Sequence, residues 1–326
     1  MSDYYIYYDS GTSNTRIYLL DKDFEICFTD KRNIGSKDTS AAGDNTVLLE
    51  CFYELYKETL REKGLKEDDI IDLYASGMTS SPYGLHEVPH LELPLSLKGF
   101  AGKVYPFEEE KYFGRTIYIV PGLKRLDPDL SFNGNMRGEE IEILGALEEL
   151  EKRNVKDVAV ILPGSHTHVT HLLRDQIDDI ISNMSGEIFY ALQKDTVLAP
   201  ILSEEYELDE DMVALGKKNV IRFGFNRAIY IAHAMRILET ADEKQRYSYA
   251  EGVVNGGIIE ILDYYLENRW QGCQTVCLIA NRFMYDLFSI LLKDDPYIKE
   301  IIWLPLEDTI YSIKGLKKIV ELKEQA

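Results

Sequence analysis

The chain is 326 residues long, 45% hydrophobic and 28% charged, with 56 acidic residues against 36 basic ones and a formal net charge of −20. That length accommodates two domains with a core in each, and so acidic a field repels a phosphate backbone, which excludes nucleic acid as a partner. No apolar run approaches the roughly 18 residues of a membrane span, no basic-then-apolar leader is visible, and the four cysteines form no C-x-x-C pair, so the expectation is a cytoplasmic protein with reduced thiols, no cysteine zinc site and no membrane partner.

Residues 6–20 read IYYDSGTSNTRIYLL. The aromatic, alternating first half predicts a strand and Ile17 to Leu20 a second. Eight polar residues lie between them, too many for a minimal hairpin turn. A third strand-like run is expected around Glu25 to Thr29. A helix is predicted from Thr46 to Lys63, because Val47, Leu48, Cys51, Leu55 and Leu60 recur at helical spacing and Gly64 suits its C-terminal cap. IIDLYASGM is a buried strand running into a turn. SSPYGLHEVPHLELPLSLKGF carries three prolines and little periodicity, so a long irregular excursion of functional character is expected there. TIYIVPGL predicts another strand, and FNGNMRGEEIEILGALEELEKRN a turn that opens a helix.

DVAVILPGSHTHVTHLL then repeats the pattern of the opening, with Gly11 to Leu19 and Gly164 to Leu172 the same interval. Two similar strand–turn–strand units predict a duplicated fold, divided near Asn154. Helices near SGEIFYALQKDTVL, NRAIYIAHAMRILETA and SYAEGVVNGGIIEILDYYL follow. A strand at TVCLIAN, a helix from about Phe283, a strand at EIIWLP and a helix in EDTIYSIKGLKKIVEL complete the chain.

Gly11, Thr12, Ser13 and Asn14 offer backbone N–H groups, hydroxyls and an amide between two strands. That is the composition of an anion-binding nest, and equally of an ordinary turn. Asp9, at the strand end, suits Mg2+ directly or through water, and Arg16 adds positive charge. Gly164, Ser165 and His166 belong to the corresponding second turn. Two such turns facing across an interdomain cleft would grip a polyphosphate from both sides. His166, His168 and His171 have no evident carboxylate nearby, so no metal site is expected from them.

Asp-Ser-Gly-Thr-Ser-Asn-Thr-Arg resembles the first phosphate motif of the actin, Hsp70 and sugar-kinase superfamily. ASGMTSSPYGLHEVPHLELP, IVPGL, MRGEE with LGA, LPGSH and MSGEIFYAL come in the order and at about the spacing seen in 2-dehydro-3-deoxygalactonokinases. The resemblance implies two α/β domains of the actin-like ATPase (ribonuclease H-like) type, 1–154 with a substrate loop and 155–326. Each would be a mixed sheet opened by a hairpin and flanked by helices, with a cleft between them. It implies ATP and Mg2+ as cofactors and phosphorylation of a hydroxyl of 2-dehydro-3-deoxy-D-galactonate or a related sugar acid.

Phosphoryl transfer rests on alignment and charge stabilisation, with a carboxylate to take the acceptor's proton. GEEIEIL is similar to the Glu-Glu stretch that supplies a carboxylate in exopolyphosphatases, which makes Glu139 the favoured base and Glu140 the second. The helix dipole alone would also favour two Glu there. Arg137 is placed to grip the substrate carboxylate in a bidentate pair. Ser80, Ser81 and Tyr83, with His86 and His90, would line the sugar pocket, and Asn226 and Arg227 open a later helix. The family usually has Trp at Ser10, often Lys-Trp at His168-Val169, and a glycine near the adenine at Asn281. The alternatives are an exopolyphosphatase-like phosphohydrolase and a non-catalytic nucleotide-binding sensor, and a homodimer is left open.

Overall fold

A computed structural model describes residues 3–202, 204–307 and 309–324. The chain divides into two compact units. One holds the residues up to Glu151, Asp175–Ile177 and those from Ile310 onward; the other holds Lys152–Arg174 and Asp178–Thr309.

In the first unit, β1 (Tyr4–Ser10), β2 (Thr15–Asp21) and β3 (Ile26–Arg32) pair antiparallel, followed by α1 (Ser36–Ala42) and α2 (Thr46–Lys63). The ladder takes in most of the polar run expected as a loop. Asp9 lies opposite Arg16 and Ser10 opposite Thr15, so only residues 11–14 turn. Opposite charges and paired hydroxyls are favourable cross-strand neighbours, and the Ser10 and Thr15 hydroxyls lie 2.9 Å apart. The helix α2 has the expected bounds. It buries Leu48, Cys51, Phe52, Leu55, Tyr56 and Leu60 and ends at Gly64, whose φ of 65° is left-handed. Phe52 stacks on Tyr8 with centroids 4.0 Å apart, and its burial contributes about 1.5–3 kcal/mol.

β4 (Ile70–Gly77) lies parallel to β1. The proline-bearing stretch after it is more ordered than expected, with β5 (Leu91–Glu92), β6 (Leu95–Ser96) and α3 (Leu97–Ala101). β7 (Tyr105–Glu109), β8 (Arg115–Ile119), β9 (Leu123–Arg125) and β10 (Gly134–Met136) precede α4 (Glu139–Lys152). The main sheet runs β3-β2-β1-β4-β8-β7, and β10-β9-β5 form a small second one. The C-terminal helix, Tyr311–Glu324, counts with this unit, where the sequence reading put it in the second domain. Its backbone meets that of α4 at Gly315 and Gly145, where any side chain would collide with the facing carbonyl.

In the second unit, β11 (Asp157–Leu162) and β12 (Thr167–Leu173) form the second hairpin, followed by β13 (Gln176–Asn183). The helices α5 (Ser185–Asp195), α6 (Ala199–Leu202), α7 (Glu210–Phe223), α8 (Phe225–Ile237) and α9 (Glu243–Asn268) come next. β14 (Thr275–Ala280), α10 (Arg282–Leu291) and β15 (Glu300–Pro305) close the unit. Its strands run β15-β14-β11-β12-β13, with β14 parallel to β11 and β15 parallel to β14. In both units, therefore, the hairpin's first strand has its partner on one side and a parallel strand on the other. The duplication read from two short hairpins extends to the topology of both sheets. Among the described residues, no helix is long and apolar enough to cross a membrane.

Candidate functional site

The two hairpin turns are braced in the same way. The N–H groups of Ser36 and Lys37 donate to the carbonyls of Gly11 and Thr12 at 3.2 and 3.0 Å, and that of Glu187 donates to Ser165 at 2.9 Å. A glycine makes each approach possible. A methyl group at Gly35 would lie 2.5 Å from the Thr12 carbonyl oxygen, and one at Gly186 2.1 Å from that of Gly164. Gly11, Thr12 and Arg16 are exposed, and Ser13 and Asn14 are half-buried. Holding the turn carbonyls from behind fixes the backbone of a would-be anion nest. Sequence reasoning found the turns but not these bracing glycines: Gly35 lies outside the quoted motifs, and Gly186 lies within MSGEIFYAL without having been assigned a role.

Carboxylates converge beside the first turn. Asp9 is half-buried, and burial raises its pKa against the pull of Arg16. Glu142, one helical turn beyond Glu139 in α4, is pushed up to about 8 by burial, by Asp9 and by Glu139. The three acids Asp9, Glu139 and Glu142 thus form one electrostatic group. Glu142 was missed, although its i+3 spacing from Glu139 puts both on one helix face. Glu140 points elsewhere. It is fully buried, and one carboxylate oxygen accepts the Gly138 N–H at 2.7 Å. Burial, then Glu139, raises its pKa to about 8.

That shift has a sign. Folded Glu140 keeps its proton to about pH 8, whereas the ordinary value is 4.5. Between these values the native state binds more protons, so its contribution to stability is lost as pH rises, by up to about 1.4 kcal/mol per pH unit. Denaturant melts from pH 5 to 8 are expected to show wild-type stability falling more steeply than that of Glu140→Gln. Parallel slopes would contradict a buried, protonated Glu140.

Arg137 meets the irregular stretch. Its guanidinium donates to the Ser80 hydroxyl and, at 3.4 Å, to the Val88 carbonyl, and lies 3.1 Å from His90 Nδ1. Burial, Arg137 and Lys124 push His90 down to about 4, so it is neutral. Arg137 is half-buried and hydrogen-bonded to neutral groups. Ser81 and Tyr83 are not brought to it. The Ser81 hydroxyl donates to Met78 at 2.8 Å, and the Tyr83 ring is 55% exposed. His86 stacks on Tyr105 at 4.7 Å.

In the second unit, Gly164 lines a cavity of about 330 Å3 together with Thr167, Ser185, Gly186, Asn281 and Phe283. Asn281 also caps α10, its side chain accepting the Met284 N–H at 2.9 Å, which gives the residue replacing the usual glycine a local role. His166 is half-buried, 3.7 Å from Glu187. His168 is buried and driven down to about 4 by burial and His166, so it supplies no cation where the family often has Lys. Asn226 and Arg227 are exposed in the first turn of α8.

His171 corrects the expectation that the histidines lack carboxylates. Its nitrogens lie 2.9 Å from Asp157 and 2.9 Å from Asp178. Burial lowers its pKa, but these two partners outweigh that and raise it. Asp157, His171 and Cys273 have ligand atoms within 4.8 Å of one another. Both ring nitrogens already face carboxylates, and burial, with Asp157, pushes the thiol up to about 12. The network stacks on Trp270 at 4.9 Å and is structural.

A family model described as 2-keto-3-deoxy-galactonokinase matches residues 9–297. A probable 2-dehydro-3-deoxygalactonokinase of Rhizobium meliloti (strain 1021) is 27% identical over 204 residues, 62% of this chain and 60% of that relative. The match therefore spans less than two thirds of the relative's length. The 2-dehydro-3-deoxygalactonokinase of Escherichia coli (strain K12) is 22% identical over 267 residues, 81% of this chain and 82% of its own. A crystal structure from Sinorhizobium meliloti, also provisionally named a 2-dehydro-3-deoxygalactonokinase, aligns over 99% of both chains with a TM-score of 0.77 at 20% identity. Porphyromonas gingivalis acetate kinase aligns over 98% of this chain and 100% of its own, with a TM-score of 0.52 at 8% identity. These structural likenesses establish the actin-like ATPase fold. With a match that runs from the carboxylate beside the first turn to beyond α10, the chain belongs to the 2-keto-3-deoxy-galactonokinase family.

Proposed function

We propose that this protein is a cytoplasmic kinase that moves the γ-phosphoryl group of Mg-ATP to a hydroxyl of 2-dehydro-3-deoxy-D-galactonate or a closely related sugar acid. One observation supports it above the rest. The seven residues from Met136 to Glu142 carry both a half-buried arginine bonded to neutral groups and the carboxylates that group with Asp9. A cation for an acid and a carboxylate for a hydroxyl are the two things such a substrate needs.

On this reading Arg137 and Ser80 hold the substrate carboxylate. Glu139 takes the proton from the attacking hydroxyl as its oxygen bonds to phosphorus and the bond to the ADP oxygen breaks. The turn residues Gly11, Thr12, Ser13, Asn14 and Arg16, and Gly164, Ser165 and His166, take phosphate oxygens. Asp9 and Glu139 raise the proton affinity of Glu142, and the Asp9 carboxylate at the end of β1 suits a hard divalent cation. The Mg2+ carried in with ATP supplies charge neutralisation at the phosphates.

Mg-ATP incubated with a panel of sugar acids is expected to release ADP only when the right acid is present. Phosphate release without any acceptor would point to a phosphohydrolase, and ATP binding without turnover to a sensor.

A further inference from the structure

The small sheet β10-β9-β5 sets two distant residues side by side. Leu91, which opens β5, and Met136, which closes β10, both pair with Leu123 of β9. His90 therefore enters β5 and Arg137 leaves β10 at the same end of the sheet. Gly122 lies between them, and its carbonyl accepts the Leu91 N–H at 2.9 Å. Gly122 is buried. A methyl group on it would lie 2.6 Å from the Met136 carbonyl oxygen and 2.8 Å from His90 Cδ2. Only a glycine lets the arginine's strand and the histidine ring approach this closely.

A guanidinium has five N–H donors and no acceptor, and donors taken out of water need partners. Around Arg137 those partners are neutral. The Ser80 hydroxyl and the Val88 carbonyl come from the stretch after β4, which is itself tied by the Val88 N–H donating to the Ser80 carbonyl at 3.0 Å. The half-buried His90 adds a ring edge, with Nδ1 3.1 Å and Nε2 3.3 Å from one Arg137 nitrogen. A neutral imidazole keeps one acceptor nitrogen, and burial, Arg137 and Lys124 hold His90 neutral. The carboxylates that act on Arg137 are Glu140, fully buried and protonated to about pH 8, and the exposed Glu87. A carboxylate in place of His90 would cancel the guanidinium charge and compete with an acidic ligand. An imidazole acceptor orients the planar fork and leaves its charge available.

We propose that His90, set across Gly122 by the β10-β9-β5 sheet, is a positioning residue that holds the Arg137 fork in the orientation that receives the substrate carboxylate. This rests on the reading of Arg137 as the acid-binding group. His90 acts through Arg137, by ordering it before the acid arrives.

Steady-state kinetics with 2-dehydro-3-deoxy-D-galactonate and Mg-ATP tests it, on wild type, His90→Phe, His90→Asn, Arg137→Ala and the double variant His90→Phe with Arg137→Ala, each checked for folding by circular dichroism. His90→Phe keeps a ring but offers no acceptor. It is expected to raise the KM for the acid about 10-fold, with kcat and the KM for ATP within about twofold of wild type. His90→Asn returns an acceptor near the place of Nδ1 and is expected to stay within about threefold of wild type. In the Arg137→Ala background, His90→Phe is expected to change the KM for the acid by less than about twofold, because no guanidinium is left to order. If His90→Phe does not fold, His90→Ala, which also removes the acceptor, replaces it in both backgrounds. An unchanged KM for the acid in folded His90→Phe overturns the proposal, as does an undiminished effect in Arg137→Ala or an equal loss in His90→Asn. With a raised KM in Arg137→Ala, those results leave the kinase reading standing. An unchanged KM in folded Arg137→Ala, or no turnover of this acid by wild type, overturns the proposal together with the reading it rests on.

Discussion

Replacing Glu139 by Gln is expected to lower kcat with Mg-ATP and the sugar acid by about 10²-fold or more, with far smaller changes in either KM. The isosteric amide keeps the shape and the helix start but cannot accept the hydroxyl proton. Position separates Glu139 from its neighbour. Glu140 is fully buried and bonded to the Gly138 N–H, so its carboxyl orders the turn before α4. Glu139 interacts with Glu142, which in turn interacts with Asp9. Steady-state kinetics on Glu139→Gln, Glu140→Gln and Glu142→Gln separates the roles. Loss of kcat in Glu142→Gln alone, with Glu139→Gln active, would move the base one helical turn along α4. A change confined to Glu140→Gln would contradict the reading of that residue as structural.

Arg137→Ala is the second large effect. The KM for the sugar acid is expected to rise about 10²-fold, the equivalent of losing about 3 kcal/mol of charge-assisted hydrogen bonding. The KM for ATP is expected to stay near its wild-type value. Arg137→Lys should recover only part of the loss, because a point charge cannot reproduce the planar two-donor fork. The guanidinium also ties Ser80, Val88 and His90 together, so melting temperatures of the variants must accompany the kinetics. An unchanged KM for the acid in a folded Arg137→Ala would remove Arg137 from the substrate site. A neutral analogue of the acid distinguishes the cases further, since it should bind Arg137→Ala and wild type alike.

Much of the fold was legible because its signals are local. Five apolar positions at helical spacing and a glycine cap located α2 to its end residues. Alternating aromatics located β1, and the same glycine interval located the second hairpin. Where local reading failed, a partner from elsewhere in the chain had changed the outcome. Asp9, Ser10, Thr15 and Arg16 look like loop residues until each is set opposite its cross-strand neighbour. The stretch after β4 looks structureless until β5 finds β9.

The candidate site divides along the same line. By itself the sequence determined the two glycine-bearing hairpins, the Glu-rich start of α4 and the arginine before it, because turn composition and helix starts are written within a few adjacent residues. The tertiary structure decided which carboxylate faces Asp9, set His90 beside Arg137, braced both turns with Gly35 and Gly186, and brought the C-terminal helix back to the first unit. Those outcomes depend on contacts between residues far apart in the chain, fixed by packing and the burial of charge, and no short window of sequence contains both partners.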